Sequence, residues 1–176
     1  MEIIDLYNPD GTLSGKTASR NEIHRLGLWH KTVHIWVLTP KGELLLQKRA
    51  SDKESHPGLW DISAAGHITA GDTSLHAAIR ELGEEIGLAA EEPDLRFMFS
   101  LRQCCEDFAR PFIDREITDI YLLRRAVDPD RLALDRHEVE AVRLISTREF
   151  SREFSEHPEL FTPHEEEYGR LLEMLG

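Results

Sequence analysis

Three glutamates, Glu81, Glu84 and Glu85, lie within a span of five residues in the stretch from Gly66 to Leu88. Side chains three and four positions apart share one face of a helix, so these carboxylates would point together. Like charges at that spacing destabilise an exposed helix by about 0.2–0.5 kcal/mol per pair. A hard divalent cation would remove the repulsion, because Mg²⁺ and Mn²⁺ prefer oxygen ligands and are often held by carboxylates together with substrate phosphates. A solvated acidic helix face is the alternative in a chain with 33 acidic residues.

The residues around the glutamates predict the helix that would carry them. Asp72 to Ser74 offer N-cap oxygens and Gly87 offers a left-handed stop, which together bracket a helix near residues 73–86. Its apolar residues repeat with the helical period and can face a core; they are Leu75, Ala78, Leu82 and Ile86.

The same stretch resembles the signature of the Nudix hydrolases, in which Gly and Glu precede an Arg-Glu-aliphatic-any-Glu-Glu-any-Gly-aliphatic run. The matching residues are Gly66, Arg80, Glu81, Leu82, Glu84, Glu85, Gly87 and Leu88. The departure is Asp72, which stands where the pattern has its first Glu. A chance match of this length is on the order of 10⁻⁸ or rarer at a given starting point with average residue usage.

The resemblance implies a metal-dependent hydrolase that cuts a phosphoanhydride bond in a nucleoside diphosphate derivative or another small organic diphosphate. Glu81 and Glu85 would be the principal ligands of Mg²⁺ or Mn²⁺, and Glu84 would be a further ligand or a water-mediated contact. The carbonyl of Gly66 would be a backbone ligand. Arg80 would orient a carboxylate and contribute to the substrate site.

The resemblance leaves the catalytic base open, because relatives use either a glutamate of the signature or one from a later loop. Glu84 is the favoured candidate and Glu138 the alternate. Arg49, at the end of a predicted strand, stands where related proteins hold a substrate phosphate, and its guanidinium could bind two oxygens. A solvent-facing role is the alternative for both Glu138 and Arg49.

Residues outside the signature resemble one branch of the family, the type I isopentenyl diphosphate isomerases, which hold a metal with three histidines and two glutamates. The residues that could correspond, as a second metal site, are His24, His30, His67, Asp114 and Glu116. The isomerase also needs a cysteine where this chain has Ala65. Isomerisation is therefore the runner-up function. A domain that binds a nucleotide or a protein without turnover is a third hypothesis, but it predicts loss of the signature carboxylates, which are intact here.

The chain as a whole predicts one α+β domain over residues 1–176, with a Nudix-type αβα sandwich and a mixed sheet. An N-terminal hairpin is expected at about residues 1–20 and a C-terminal helix at about 163–175. Val33, Ile35 and Val37 alternate before a turn at residues 40–42, which predicts a second pair of strands.

The composition of the chain restricts the classes of molecule that it can bind. The formal charge of −12 and the pI near 5.2 argue against nucleic-acid polymers and anionic membrane surfaces. The N-terminus has neither a basic start nor a long apolar run, and the two cysteines, Cys104 and Cys105, are adjacent, which disfavours a disulfide between them. We expect a cytoplasmic protein with a small diphosphate substrate, and the resemblance makes a homodimer one assembly open to it.

Overall fold

The computed structural model describes residues 2–107 and 112–176, without the side chains of residues 106 and 107. Within those ranges the helices are α1 (Arg20–Leu26), α2 (Ser74–Ile86), α3 (Thr147–Glu156) and α4 (Glu165–Leu175). The strands are β1 (Ile3–Tyr7), β2 (Leu13–Ser19), β3 (His30–Leu38), β4 (Glu43–Arg49), β5 (Trp60–Asp61), β6 (Ala64–His67), β7 (Leu95–Asp107), β8 (Phe112–Arg124) and β9 (Val139–Ser146).

Strand β3 occupies the middle of the sheet. It pairs in parallel with β8 from His30↔Glu116 to Leu38↔Arg124, and antiparallel with β6 on its other side. Strand β7 extends the sheet beyond β8, and β1 joins β3 at Leu6↔His30. Parallel and antiparallel pairs therefore coexist, as the predicted mixed sheet requires.

Strands β3 and β4 are joined by the predicted turn, but they do not form a regular hairpin. They pair only at Leu38↔Leu44, next to the turn. Beyond that point β4 follows β9, and β5 and β6 fill the gap by pairing with β4 and β3 respectively. The sheet therefore splays away from the turn, because each strand finds a longer partner elsewhere.

Apolar side chains on the two faces of the sheet form two separate cores. Alternate residues of β3, such as Val33 and Ile35, pack against Leu82 and the rest of the inner face of α2. Trp36 packs on the other face with Phe150 of α3 and residues of α4. Helices thus cover both faces, and the α+β fold with an αβα sandwich is confirmed.

The helix predicted at 73–86 is observed at Ser74–Ile86, capped by the side chain of Thr73 and ended by Gly87 at φ 66°. Helix α1 was not predicted by sequence, since its seven residues are too few to show a period. Its ends are nevertheless marked, by the Ser19 hydroxyl at the N-cap and by Gly27 at φ 63°.

The described residues include no helix with both the length and the apolar composition needed to cross a lipid bilayer.

Candidate active site

A cavity of about 370 Å³ opens at the splayed end of the sheet, between α2, β5, β6, β8 and the segment before α4. Its walls contain every site residue predicted from the sequence except one: Gly66, Arg80, Glu81, Glu84, Glu85, Arg49, Glu138, His24, His67, Asp114 and Glu116. The exception, His30, is fully buried behind the wall. Residues that are far apart in the sequence are therefore brought to one site.

Two of the three glutamates on α2 are buried, and the third is at the mouth of the cavity. Glu81 is 8% and Glu85 is 7% exposed, whereas the side chain of Glu84 is 62% exposed. One oxygen of Glu85 accepts hydrogen bonds from Gln47 Nε2 and from the Ala65 backbone N–H, each at 3.1 Å. These two donors fix the carboxylate beside strand β6.

Burial makes ionisation of the two inner carboxyls costly. Desolvation raises the pKa of Glu81 to about 7, although the neighbouring Arg80 opposes the shift. Desolvation, together with the charge of Glu81, raises the pKa of Glu85 to about 8. Two carboxylates held at this depth would be stabilised by a cation between or beside them.

Arg80 connects the glutamates to the strand opposite them. Its Nη1 donates to Glu81 at 2.7 Å and to Glu84 at 3.1 Å, and its Nη2 donates to the backbone carbonyl of His67 at 2.9 Å. The guanidinium thus holds carboxylates in position, which is the first part of the predicted role of Arg80.

Gly66 is the point of closest approach between β6 and α2. A Cβ atom built on this residue would lie 2.1 Å from Cδ and Oε1 of Glu81. Only glycine therefore lets the backbone at this position reach the buried carboxylate. Asp72, the departure from the family pattern, instead accepts a hydrogen bond from the Thr73 backbone N–H at 2.8 Å, ahead of the helix.

The three histidines and the two later carboxylates form a second cluster across the cavity. The ring centroids of His24, His30 and His67 lie 5.2–5.4 Å apart. Asp114 Oδ1 lies 3.5 Å from His24 Nδ1 and 3.7 Å from His30 Nε2, and Glu116 Oε1 lies 3.6 Å from His30 Nε2. These separations exceed hydrogen-bond length, yet the ligand atoms fall into two groups, each mutually within 4.8 Å.

Buried polar atoms in this cluster lack partners among the described residues: His24 Nδ1, His30 Nε2, His67 Nε2 and Asp114 Oδ1. Buried polar groups are rarely left unsatisfied, so converging unsatisfied nitrogens and oxygens fit a metal ion better than they fit an empty space. Burial lowers the pKa of His67 to about 3, which keeps its imidazole neutral and able to act as a ligand.

The basic side chains at the opposite end of the cavity are already paired with the protein. Arg49 Nη1 donates to Asp61 at 3.0 Å, and its Nε and Nη2 donate to Ser55. Glu138, the alternate base, forms an ion pair with Lys53. Both residues line the cavity as predicted, but each would have to share or exchange a partner to contact a substrate.

Sequence reasoning missed several residues of the cavity, notably His34, Asp61, Lys53, His56 and His164. It also missed the buried Glu167, which lies behind His34. Two features of the sequence could have indicated these residues. His34 is a histidine among apolar residues of β3, and Glu167 comes directly before Tyr168, which belongs to the apolar face of α4. Ala65 and Cys105 both line the cavity, but Cys104 and Cys105 lie on β7, which two strands separate from β6.

The NUDIX domain family model matches residues 28–168, which is most of the chain. The chain belongs to the Nudix family. The predicted family resemblance is thus confirmed, and the chain is a Nudix-type hydrolase. Nudix hydrolases generally use divalent metal ions, and the buried glutamates of this Nudix domain lie where its signature places them.

Named relatives include both hydrolases and isomerases. The chain is 36% identical to Nudix hydrolase 3 of Arabidopsis thaliana over 99% of its own length, but it spans only 23% of that protein. It is 32% identical to an isopentenyl-diphosphate Δ-isomerase of Cereibacter sphaeroides, over 81% of the chain and 77% of the relative. Similarity to the isomerase branch, predicted from residues outside the signature, is therefore also found.

Among solved structures, the crystal structure of DR0079 from Deinococcus radiodurans superposes with a TM-score of 0.66 at 19% identity. The match covers 89% of this chain and 90% of that protein. At this identity the similarity concerns the fold.

Proposed function

We propose that this Nudix domain hydrolyses a phosphoanhydride bond in a nucleoside diphosphate derivative or another small organic diphosphate, with Mg²⁺ or Mn²⁺ as cofactor. The observation that carries the proposal is a pair of buried carboxyl groups that line the cavity. Glu81 packs against the Gly66 backbone, and Glu85 accepts a hydrogen bond from the Ala65 N–H. Among the described residues, the cation that pairs with these two carboxyl groups is Arg80, which contacts Glu81 but not Glu85.

The donor set suits a hard divalent ion. Glu81 and Glu85 would be its main ligands, Glu84 a further or water-mediated contact, and the Gly66 carbonyl a backbone ligand. When bound, such an ion neutralises phosphate charge and lowers the pKa of a coordinated water. Gln47 and the Ala65 N–H hold one oxygen of Glu85, which leaves its other oxygen available.

Proton removal from the attacking water is assigned to Glu84, with Glu138 as the alternate. Glu84 is the more exposed of the signature glutamates and lies beside the buried pair. Each candidate forms an ion pair with a cation, Arg80 for Glu84 and Lys53 for Glu138.

Arg49 and Lys53 are proposed to bind the substrate phosphates at the basic end of the cavity. Asp61 and Ser55 hold three nitrogens of the Arg49 guanidinium, so its orientation is set before a ligand arrives. Each terminal nitrogen keeps a second N–H for a phosphate oxygen.

We also propose a second metal site formed by His24, His30, His67, Asp114 and Glu116, which rests on the unpartnered buried atoms of this cluster. Isomerisation of isopentenyl diphosphate is the second candidate function, because the isomerase relative and this cluster point to it. Ala65 argues against isomerisation, since a methyl group can neither donate nor accept a proton.

The test is a product screen with dinucleotide polyphosphates, nucleotide sugars, nucleoside triphosphates and isopentenyl diphosphate, each with Mg²⁺, with Mn²⁺ and with EDTA. We expect metal-dependent phosphate release from at least one class and its loss in Glu85→Gln. His157→Gln, an exchange at an exposed surface histidine, is the matched control. Full turnover by Glu85→Gln would refute the metal assignment, and isomerised isopentenyl diphosphate would establish the second candidate instead.

A further inference from the structure

His34 is a cavity residue that the proposed chemistry leaves without a role. It lies on β3, is 5% exposed and is one of the residues that line the cavity. A histidine at a position this buried normally has hydrogen-bond partners for its ring nitrogens. The partners of His34 therefore determine what it can do.

One ring nitrogen of His34 is bound to a buried carboxylate from the C-terminal helix. His34 Nδ1 lies 2.7 Å from Glu167 Oε2, and Glu167 is fully buried. The other oxygen of Glu167 accepts a hydrogen bond from Trp36 Nε1 at 2.8 Å. Both carboxylate oxygens are thus fixed, so Nδ1 of His34 carries a proton and the ring cannot turn freely.

The other ring nitrogen, Nε2, has no hydrogen-bond partner among the described residues and is not sealed from solvent. The groups that face His34 are Glu167 on α4, Asp61 on β5, Glu116 on β8 and the ring of His164, whose centroid is 5.0 Å away. Burial alone would lower the pKa of His34, but Glu167 outweighs it and raises the pKa to about 9. At neutral pH Nε2 is therefore a donor.

The position of His34 brings it to the same cavity as the buried glutamates, which it lines from the α4 side of the sheet. His34 is the cross-strand partner of Ala65 in the antiparallel pair β3–β6. Such partners project to the same face with Cβ atoms about 4.5–5.5 Å apart. The backbone N–H of Ala65 in turn donates to Glu85. Ala65 thus connects His34, its strand partner, with Glu85, its hydrogen-bond partner, and all three residues line the same cavity.

We propose that His34 binds an anionic oxygen of the diphosphate through Nε2–H, and that Glu167 is the positioning residue that holds His34 in its protonated form. This proposal rests on the proposed function, because it assigns a contact within the same cavity. The proposal also assigns the C-terminal helix α4 a role in the site, through Glu167. Glu167 ends a run of three glutamates in which Glu165 and Glu166 are exposed and Glu167 is buried.

The direct test uses methylenediphosphonate, a non-hydrolysable diphosphate, with the full chain in Mg²⁺. Side-chain ¹H–¹⁵N spectra should show His34 with both nitrogens protonated at pH 7.5, and a shift of its Nε2 signal when the ligand is added. This measurement needs no substitution in the protein. A neutral His34, or an Nε2 signal that the ligand leaves unchanged, would overturn the proposal.

Calorimetry on variants supplies the second measurement. We expect His34→Gln to weaken methylenediphosphonate binding by about tenfold or more, as loss of a charge-assisted hydrogen bond does. His157→Gln, the matched exposed control, should bind like the unmodified protein. Glu167→Gln should lower the pKa of His34, so that its affinity approaches that of the unmodified protein at pH 6 and falls at pH 8. A purely structural role of Glu167 would weaken binding equally at both pH values and would contradict the positioning role.

The outcomes separate this proposal from the proposed function. If Glu85→Gln abolishes turnover while His34→Gln binds the diphosphonate with unchanged affinity, the His34 assignment fails and the hydrolase proposal stands. If no substrate class is hydrolysed but the ligand still shifts Nε2, the His34 assignment stands and the hydrolase proposal fails.

Discussion

Two buried glutamates on opposite sides of the cavity, Glu167 and Glu85, differ in how the protein compensates their charge. Glu167 is paired with His34, and this contact lowers the pKa of Glu167 and raises that of His34. Among the described residues, the donors to Glu85 are neutral, Gln47 Nε2 and the Ala65 N–H, and desolvation raises the pKa of Glu85 to about 8. The charge of Glu167 is neutralised by a residue of the protein itself, whereas the charge of Glu85 would be neutralised by a bound cation. A buried charge that the chain does not neutralise is the one that indicates ligand binding.

The largest expected effect is on turnover. Glu85→Gln keeps the acceptor for Gln47 and the Ala65 N–H but removes the charge, so we expect a loss of about 10³-fold, corresponding to the several kcal/mol that a bound metal ion contributes. The rate of phosphate release under saturating Mg²⁺ measures the loss. A tenfold effect or less would mean that Glu85 does not hold the ion.

The same exchange of glutamate for glutamine at Glu167 should lower the stability of the protein. Glu167→Gln leaves His34 without its counter-ion and should lower the free energy of unfolding by about 3–5 kcal/mol, as breaking a buried ion pair does. Glu85→Gln in EDTA should be neutral or stabilising, because it removes a buried carboxyl group whose ionisation is costly in the absence of a metal ion. Urea unfolding of both variants makes the comparison, and equal destabilisation would refute the contrast between the two sites.

The pH dependence of stability sharpens the contrast. His34 has a folded pKa of about 9, above its usual 6.5, so its contribution is complete below pH 6.5 and is lost as the pH rises through 9. A shift of this size corresponds to about 3 kcal/mol. We expect the free energy of unfolding in EDTA to fall over that window in the unmodified protein, and this component of the fall to be absent in His34→Gln. An identical profile in the variant would show that His34 is not charged.

The smallest effect concerns the backbone next to the glutamates. Gly66→Ala would place a methyl group against Glu81, and we expect it to cost about 1–3 kcal/mol of stability, as overpacking does. It should also weaken metal binding, because the Glu81 carboxylate must move. Gly83→Ala on the same helix, where a Cβ meets nothing within 4 Å, is the control. A Gly66→Ala variant with unchanged stability and metal affinity would contradict the close packing.

The sequence predicted the parts of this molecule whose determinants are local. The spacing of glutamates, the N-cap region and Gly87 defined α2 to within a residue, and alternation located β3. It could not show that β3 and β4 separate after one pair, since that depends on longer pairings with β8 and β9.

The residues of the candidate site also divide into those that a local sequence pattern predicts and those that depend on distant contacts. The family signature predicted the three signature glutamates, and the isomerase resemblance predicted that His24, His30 and His67 belong to one site. Glu167 was missed because a run of three glutamates resembles a solvated helix face. The partner that explains its burial, His34, is 133 residues away in the sequence. Two charged residues that are so far apart leave no local sequence pattern from which their pairing could be predicted.

Crystallography with Mn²⁺ and anomalous diffraction is the most direct test of whether the buried glutamates hold a divalent ion. We expect an anomalous peak about 2.0–2.3 Å from carboxylate oxygens of Glu81 and Glu85, and we expect that peak to be absent in Glu85→Gln. A saturated crystal with both side chains unchanged and no peak between them would contradict it.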